Sequence, residues 1–535
     1  MIGRLAREFP RRLPTPSAES SNWRRAALGV AALAIVLRLV FAWRVELMPE
    51  ETYYWNYARH LDIGYLDHPP MVGWLIAAGT AAFGHTEFGV RVGALCCLAA
   101  VGFFSFRLTR EMFDEASGWA AVVLAQALPF FFLTGFLMTP DAPLTAAWSG
   151  MLYFVYQALI KERARAWWGV GVALGLGLLS KYTIVLLGFS ALLFMVIDPR
   201  SRHWFKRVEP YAAALLATMI FSPVIAWNAR NEFASFAFQT SRRLADRPQF
   251  ALFKLIGSVL VLLTPTGAVA ATWALTQSSD GARGTEASGA TASGAESAVE
   301  AERRRRQRFI QVTVLTPLAV FALFSLRHEV KLDWTGAPWI ASLPVLAAGI
   351  VQPLHRMGRW IARAWVPTVI AMLLLYGAGL CYLTLDIPYV GYGRHAELVP
   401  VGWRELGRDV GAIAADIRGR TGTDPLIVGM DRYAIASELA FYLPDRDKAV
   451  SDTTSGHLFG QVGLMYERWF PAARQSGRLL LLVAWSPAEL SDGALADRVE
   501  RLDPIQQEVL TRDKHLIRPF FYRVAYGFHP TGAAP

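Results

Sequence analysis

The sequence predicts an all-α multi-pass membrane protein of about eleven transmembrane helices, followed by an α/β domain at its C-terminus. Three observations predict it. Of 535 residues, 54% are hydrophobic and only 18% charged, with a mean hydropathy of +0.30, whereas soluble domains run near a quarter charged. Apolar stretches able to cross roughly 30 Å of hydrocarbon recur up to residue 384. Beyond residue 385 the hydrophobicity falls and strand and helix patterns alternate.

The spans are read near 26–43, 88–106, 116–134, 140–160, 167–180, 182–197, 210–227, 250–275, 309–326, 337–352 and 363–384. The first lacks a convincing small-residue cleavage site, so it is read as an anchor rather than a removed leader. Basic residues set the orientation. Arg4, Arg7, Arg11, Arg12, Arg24 and Arg25 precede the first span. Later clusters are Arg107/Arg110, Lys161/Arg163/Arg165, Arg200/Arg202/Lys206/Arg207, Arg303 to Arg306 with Arg308, and Arg356/Arg359. They fall on alternate loops, as a cytoplasmic amino terminus and an odd number of spans require. The net charge of +10 is therefore a topology signal, and nucleic acid is excluded as a partner.

Residues 277–302 are Ala, Ser, Gly and Glu of low complexity and read as a disordered cytoplasmic loop. Residues 1–384 form the membrane domain, with a first outer loop at 44–87, and 385–535 the outer α/β domain. In the latter, PLIVGM and RLLLLVAW read as buried strands and ELGRDVGAIAADIRGR as an amphipathic helix. Cys96, Cys97 and Cys381 lie in apolar runs and read as small packed hydrophobes, neither a disulfide framework nor a zinc site. No internal repeat is found.

The first outer loop is acidic, with six carboxylates against Arg44 and Arg59. Glu50 and Glu51 stand just past the membrane edge, before Tyr53, Tyr54, Trp55 and Tyr57. Aromatics at that density suit a short helix in the interfacial belt, and MVGWLIAAGTAAF, too short to cross, suits a second. Such a loop holds carboxylates at headgroup height, although solvated loop acids would look the same. Asp141 opens the fourth span, where it could equally cap a helix. Lys181, Arg242, Arg243, Arg327 and Lys331 also fall on the outer side, facing a cavity or snorkelling to headgroups. Together these suggest chemistry on an anionic lipid: a carboxylate to take an acceptor proton and cations to stabilise a departing phosphate. Nothing resembles a Walker A loop, a GxGxxG fingerprint or a kinase motif, so no nucleotide is implied.

Five stretches in order, PEETYYW with LDIGYLDHPPMVGWLI, LMTPDAPLTAAW, GLGLLSKYTIVLLG, FAFQTSRR and VKLDWTGAPWIASLP, resemble the GT-C class of membrane glycosyltransferases. The resemblance is to bacterial members of the protein O-mannosyltransferase and aminoarabinose transferase superfamily, family 39-like, and the DRYAIASELAFYLP stretch extends it into the C-terminal domain. It implies a GT-C fold and inverting transfer of a sugar from a polyprenyl-phosphate donor to a glycolipid, glycan or protein acceptor, at the outer face of a bacterial inner membrane. It places Glu50 as general base or acceptor-orienting acid with Glu51 supporting, Asp141 holding the acceptor or first loop, and Lys181 on the donor phosphate. Two departures stand out. His68, after Asp67, occupies a place where relatives often carry Lys, replacing a permanent cation with a titratable one. Arg242 precedes Arg243 where relatives often carry His, so Arg243 keeps the phosphate role while a metal ligand used by some relatives is lost. No cofactor is firmly implied, and a divalent metal would lack that ligand. The competing readings are a transporter or flippase, which would show repeated halves and broken midplane helices, and a catalytically silent scaffold.

Overall fold

The computed structural model describes residues 18–242, 248–276, 294–353, 355–385, 400–491, 493–512 and 515–530. Helix α1 (Ala18–Arg44) leads into two short helices, α2 (Pro49–Arg59) and α3 (Met71–Phe83). Then follow α4 (Glu87–Met112), α5 (Glu115–Ala127), α6 (Pro129–Thr134), α7 (Asp141–Leu159), α8 (Ala166–Ser180), α9 (Val185–Ile197), α10 (Glu209–Arg230), α11 (Ala234–Ala237), α12 (Leu252–Thr276), α13 (Gly294–Ser325), α14 (Leu343–Val351) and α15 (His355–Thr384). Among the described residues seven helical segments are long and apolar enough to cross a membrane: Ser20–Arg44, Glu87–Met112, Glu209–Arg230, Leu252–Thr276, Glu300–Ser325, Leu332–Val351 and Gly358–Thr384. Met71–Phe83, Ala166–Ser180 and Tyr182–Ile197 are shorter apolar helices.

Local chemistry explains the boundaries. Thr86 and Asp114 cap α4 and α5, accepting from the amides of Gly89 at 3.0 Å and Ser117 at 2.8 Å. Pro129 breaks the 116–134 span into α5 and α6. The carbonyls freed there are taken by a fully buried arginine of α1: Arg38 donates to Phe132 O at 3.2 Å, Gln126 O at 3.2 Å and Gln126 Oε1 at 2.5 Å. A charge inside an apolar bundle is tolerated when its donors are so used. In α12, Pro265 pushes the preceding Thr264 out of helical geometry, to φ 66° and ψ 160°, and kinks the helix. Close helix approach needs small residues: a Cβ on Gly79 of α3 would lie 2.3 Å from Gly89 O of α4.

Two sequence expectations are corrected in the membrane region. Residues 294–302, read as part of a disordered loop, are the first turns of α13, while 277–293 lie outside the described residues. The Arg303–Arg306 cluster is accordingly helical, and Arg305 is buried, donating to Asp198 at 2.9 Å and Leu159 O at 2.7 Å. Cys96 and Cys381 are exposed on the bundle surface rather than packed; small and apolar, they suit a lipid-facing position as well as a core.

The C-terminal domain opens with α16 (Trp403–Thr421), followed by β1 (Leu426–Gly429), α17 (Ala434–Tyr442), α18 (Arg446–Asp452), β2 (Thr453–Ser455), α19 (Tyr466–Trp469), β3 (Leu480–Ala484), β4 (Val499–Leu502), β5 (Gln506–Arg512) and β6 (His515–Phe528). The sheet order is β2-β1-β3-β6-β4, with β5 also on β6. β1 pairs in parallel with β2 and β3, Val428 opposite Thr454 and Leu482; β6 runs antiparallel to β3, β4 and β5. Every residue of β1 and β3 is buried, which is why both read as unbroken apolar runs.

Candidate active site

Pro49 starts α2 and brings two adjacent acids into its first turn. Successive helix positions diverge by about 100°, so the two acids face different surroundings. Glu51 is fully buried. Its carboxylate accepts from Arg91 Nη2 at 2.6 Å and Nε at 2.9 Å, from the Met138 amide at 3.0 Å and from the Met48 amide at 3.1 Å. Arg91, itself fully buried in α4, also donates to the carbonyls of Phe41 (3.1 Å), Val45 (2.7 Å) and Glu46 (2.9 Å). One ion pair thus ties the end of α1, the start of α2, α4 and the turn before α7. Glu51, expected to support Glu50, is held by this pair as a pin of the first loop. Glu50 is exposed, and among the described residues its carboxylate makes no hydrogen bond or ion pair.

A second charged group forms where α8 ends. Lys181 is extended (φ −160°, ψ 133°) between α8 and the short turn Tyr182–Ile184. Its ammonium donates to Asp141 Oδ1 at 2.8 Å and Oδ2 at 3.0 Å and to Asp333 Oδ2 at 3.1 Å. Asp141 makes no cap bond to its own helix; its carboxylate turns to the lysine. Two carboxylates against one ammonium keep a buried cation charged and fix its direction. Lys181 lines a cavity of about 80 Å³ with His68, Pro69, Tyr182, Thr183, Gln239, Phe321 and Trp334. Asp333 carries no signal of its own in the sequence, because an acid beside an apolar run gives no sign of its partner.

Tyr54 of α2 packs toward the cavity that Lys181 lines. Its ring lies 5.7 Å from that of His68. Burial first, then Asp67, Tyr433, Glu50 and Asp141, hold its phenol well above the usual range. Asp67 accepts from Tyr57 Oη at 2.5 Å and Tyr53 Oη at 2.9 Å, and burial raises its carboxyl pKa. Its carbonyl accepts from Gln239, which fastens the 67–68 turn to the stretch after α10. Arg242 ends that stretch, the turn Phe238–Arg242; its side chain, and Arg243 altogether, lie outside the described residues. Arg327 and Lys331 are exposed. Among the described residues no group of three or more His, Cys, Asp or Glu is arranged to hold a metal ion.

The aromatics of α2, expected in an interfacial belt, are buried beneath the C-terminal domain. Tyr53 meets Tyr433 at 4.8 Å and Trp55 meets Phe441 at 5.1 Å between ring centroids, both partners coming from the β1–α17 region. Trp55 and Tyr57 have no exposed surface. Leu47 N donates to Tyr442 Oη at 2.8 Å, and buried Glu46 accepts from the Trp403 amide at 2.7 Å and from Arg512. Glu438 of α17 is fully buried beside them. Burial first, then the nearby Glu46, Glu51 and Glu50, raises its carboxyl pKa well above the ordinary value.

Residues 67–227 match the family model described as dolichyl-phosphate-mannose-protein mannosyltransferase. A lipid A galacturonosyltransferase of Rhizobium johnstonii is 25% identical over 224 residues, 38% of this chain and 44% of that protein. An undecaprenyl phosphate-alpha-4-amino-4-deoxy-L-arabinose arabinosyl transferase of Pseudomonas savastanoi pv. phaseolicola is 26% identical over 184 residues, 30% of this chain and 33% of that protein. Each match spans less than half of the relative's length. The crystal structure of apo ArnT from Cupriavidus metallidurans superposes with a TM-score of 0.62 at 16% identity, covering 95% of this chain and 98% of that one. The same protein bound to undecaprenyl phosphate gives 0.58, again at 16% identity, with 93% and 98% covered. The superposition shows the fold, which is ArnT-like and of the GT-C type. The resemblance to the superfamily of these mannosyl and aminoarabinose transferases, carried in the sequence by five stretches, is supported by the family model and by both relatives.

Proposed function

We propose that this chain is an inverting glycosyltransferase that moves a sugar from a polyprenyl-phosphate donor to a hydroxyl or phosphate of a lipid, glycan or protein acceptor. The observation that carries the reading is the Asp141–Lys181–Asp333 group at a cavity that Lys181 and His68 both line, with the ring of Tyr54, from the helix that carries Glu50, 5.7 Å from that of His68. Glu50 takes the proton of the attacking acceptor oxygen as that oxygen bonds to the anomeric carbon. Lys181, with His68, meets the negative charge that collects on the departing phosphate. By the resemblance, Arg243 and Arg242 add guanidinium groups to the same phosphate. One relative is named as a transferase of an undecaprenyl-phosphate-linked sugar and another as a lipid A galacturonosyltransferase, which favours transfer over transport.

The chain crosses a bacterial inner membrane eleven times, with its amino terminus cytoplasmic and residues 385–535 as a periplasmic domain over the site. Eleven crossings follow from counting the α5/α6 pair, α7, α8 and the Tyr182–Ile197 segment with the seven long spans. This puts Arg107, Arg163, Arg202 and Lys206 on one side and Glu50 and Lys181 on the other. The test uses the purified full chain with a radiolabelled polyprenyl-phosphate sugar. Glu50→Gln is expected to lower transfer by about a hundredfold or more while its thermal midpoint stays that of the wild type. Full transfer by that variant would overturn the reading.

A further inference from the structure

Around Tyr54 almost every charge is spoken for. Glu51 is held by Arg91, Lys181 by Asp141 and Asp333, and Asp67 by two tyrosines. Two ionised side chains differ: Glu50 on α2, and Arg432 on the turn from β1 into α17. Both are exposed, and among the described residues Arg432, like Glu50, makes no hydrogen bond or ion pair.

The place of Arg432 is nonetheless fixed. On one side Asp431 is locked to the domain: its carbonyl accepts from the Gly456 amide at 3.1 Å and its carboxylate from the Ile435 amide at 3.2 Å. On the other, Tyr433 packs on Tyr53 of α2 at 4.8 Å. Tyr53 stands one turn after Glu50 on α2, so the ring next to Arg432 packs one turn from that acid. The C-terminal domain therefore sets Arg432, with no partner among the described residues, next to a ring that packs on the helix carrying Glu50. Lys181 instead lies with Asp141 at the cavity beyond Tyr54. A guanidinium presents a planar fork of donors that suits phosphate oxygens.

We propose that Arg432 binds the phosphate of a lipid substrate entering above Glu50, and so positions the group that Glu50 deprotonates. The inference rests on the transferase reading and names a residue for its substrate recognition. That phosphate could belong to the acceptor lipid or to the polyprenyl donor, and the experiment separates them.

Binding is measured for the purified full chain, Arg432→Gln and Arg432→Lys by microscale thermophoresis. The probes are bisphosphorylated lipid A with its dephosphorylated form, and undecaprenyl phosphate with undecaprenol. Arg432→Gln is expected to weaken one phosphorylated probe about tenfold or more while leaving its phosphate-free counterpart unchanged. Arg432→Lys should fall between, keeping the charge and losing the fork. A loss on lipid A assigns the phosphate to the acceptor, and a loss on undecaprenyl phosphate assigns it to the donor. The proposal is overturned if Arg432→Gln binds every probe as the wild type does, or weakens phosphorylated and phosphate-free forms alike. It is overturned too if the wild type does not discriminate them. Because binding needs no turnover, a chain that shows the Arg432 effect but transfers no sugar would sink the transferase reading and leave this one standing.

Discussion

Glu51→Gln separates the two neighbouring acids by their physical roles. The substitution keeps the volume of the side chain and removes its charge. An oxygen kept in the place of Oε1 still accepts from Arg91 Nε and the Met138 amide, while the new amide nitrogen meets the donors Arg91 Nη2 and the Met48 amide where an acceptor stood. Removing one partner of a buried ion pair costs about 3–5 kcal/mol. Arg91 retains three backbone carbonyls, so the lower end, about 3 kcal/mol, is the expected loss. At roughly 2 °C per kcal/mol for a large chain, the thermal midpoint should fall by about 6 °C. Intrinsic-fluorescence melting of the detergent-purified protein reads this directly, with Glu50→Gln as the comparison, expected within about 1 °C of wild type because its carboxylate is exposed and unpaired. Glu51→Gln that melts like the wild type yet transfers no sugar would refute the pin and return Glu51 to the chemistry.

Two further outcomes follow from the same geometry. Lys181→Ala should weaken binding of undecaprenyl phosphate by about tenfold or more, since a charge-assisted contact is lost; unchanged affinity in a binding titration would remove the lysine from the phosphate site. Asp431 is pushed up by burial from 3.8 to about 6, so the folded state holds its proton more tightly than the unfolded one. Its contribution to stability is full below about pH 4 and is lost as pH rises through about 6. Asp431→Asn, whose amide oxygen can still accept from Ile435, should therefore gain up to about 3 kcal/mol at pH 7.5 and nothing at pH 4. Parallel stability curves for the two proteins across that range would rule out a buried titrating carboxyl.

What was legible in the sequence is what short-range pattern encodes. The strands at 426–429 and 480–484 were legible as apolar runs because both faces of β1 and β3 are covered. Lys181 stood out because a lysine between two short apolar segments must have a cavity or a partner. The partners themselves were not legible. Asp333 lies 152 residues from Lys181 in the chain, and Leu47 lies 395 from Tyr442, separations over which no spacing rule operates. The aromatic run of α2 was misplaced for a related reason. A surface half aromatic and half polar suits a headgroup region and a protein interface equally, and only the docking of α17 decides between them.

The order of the two acids is itself informative. At the third position of α2 a glutamate reaches back to the Met48 amide as well as forward to Arg91, the capping geometry that favours glutamate there. Committing that residue leaves its predecessor no inward direction, because the helix turns by about 100° per residue. Glu50 is thus set outward by its neighbour's burial, not by any contact of its own. Its side chain remains mobile about a fixed backbone, and the extra methylene relative to aspartate extends the radius it can sweep. A general base in that condition needs something else to fix the acceptor. Among the described residues the membrane bundle lines the cavity with the cations Lys181 and, when protonated, His68. The roof that carries Arg432 and Tyr433 is joined to the same loop through Glu46, whose carboxylate takes the first amide of α16. Placement of the reacting oxygen relative to Glu50 is therefore a property of the joint between the two domains, and changes in that joint should alter acceptor use before they alter donor binding.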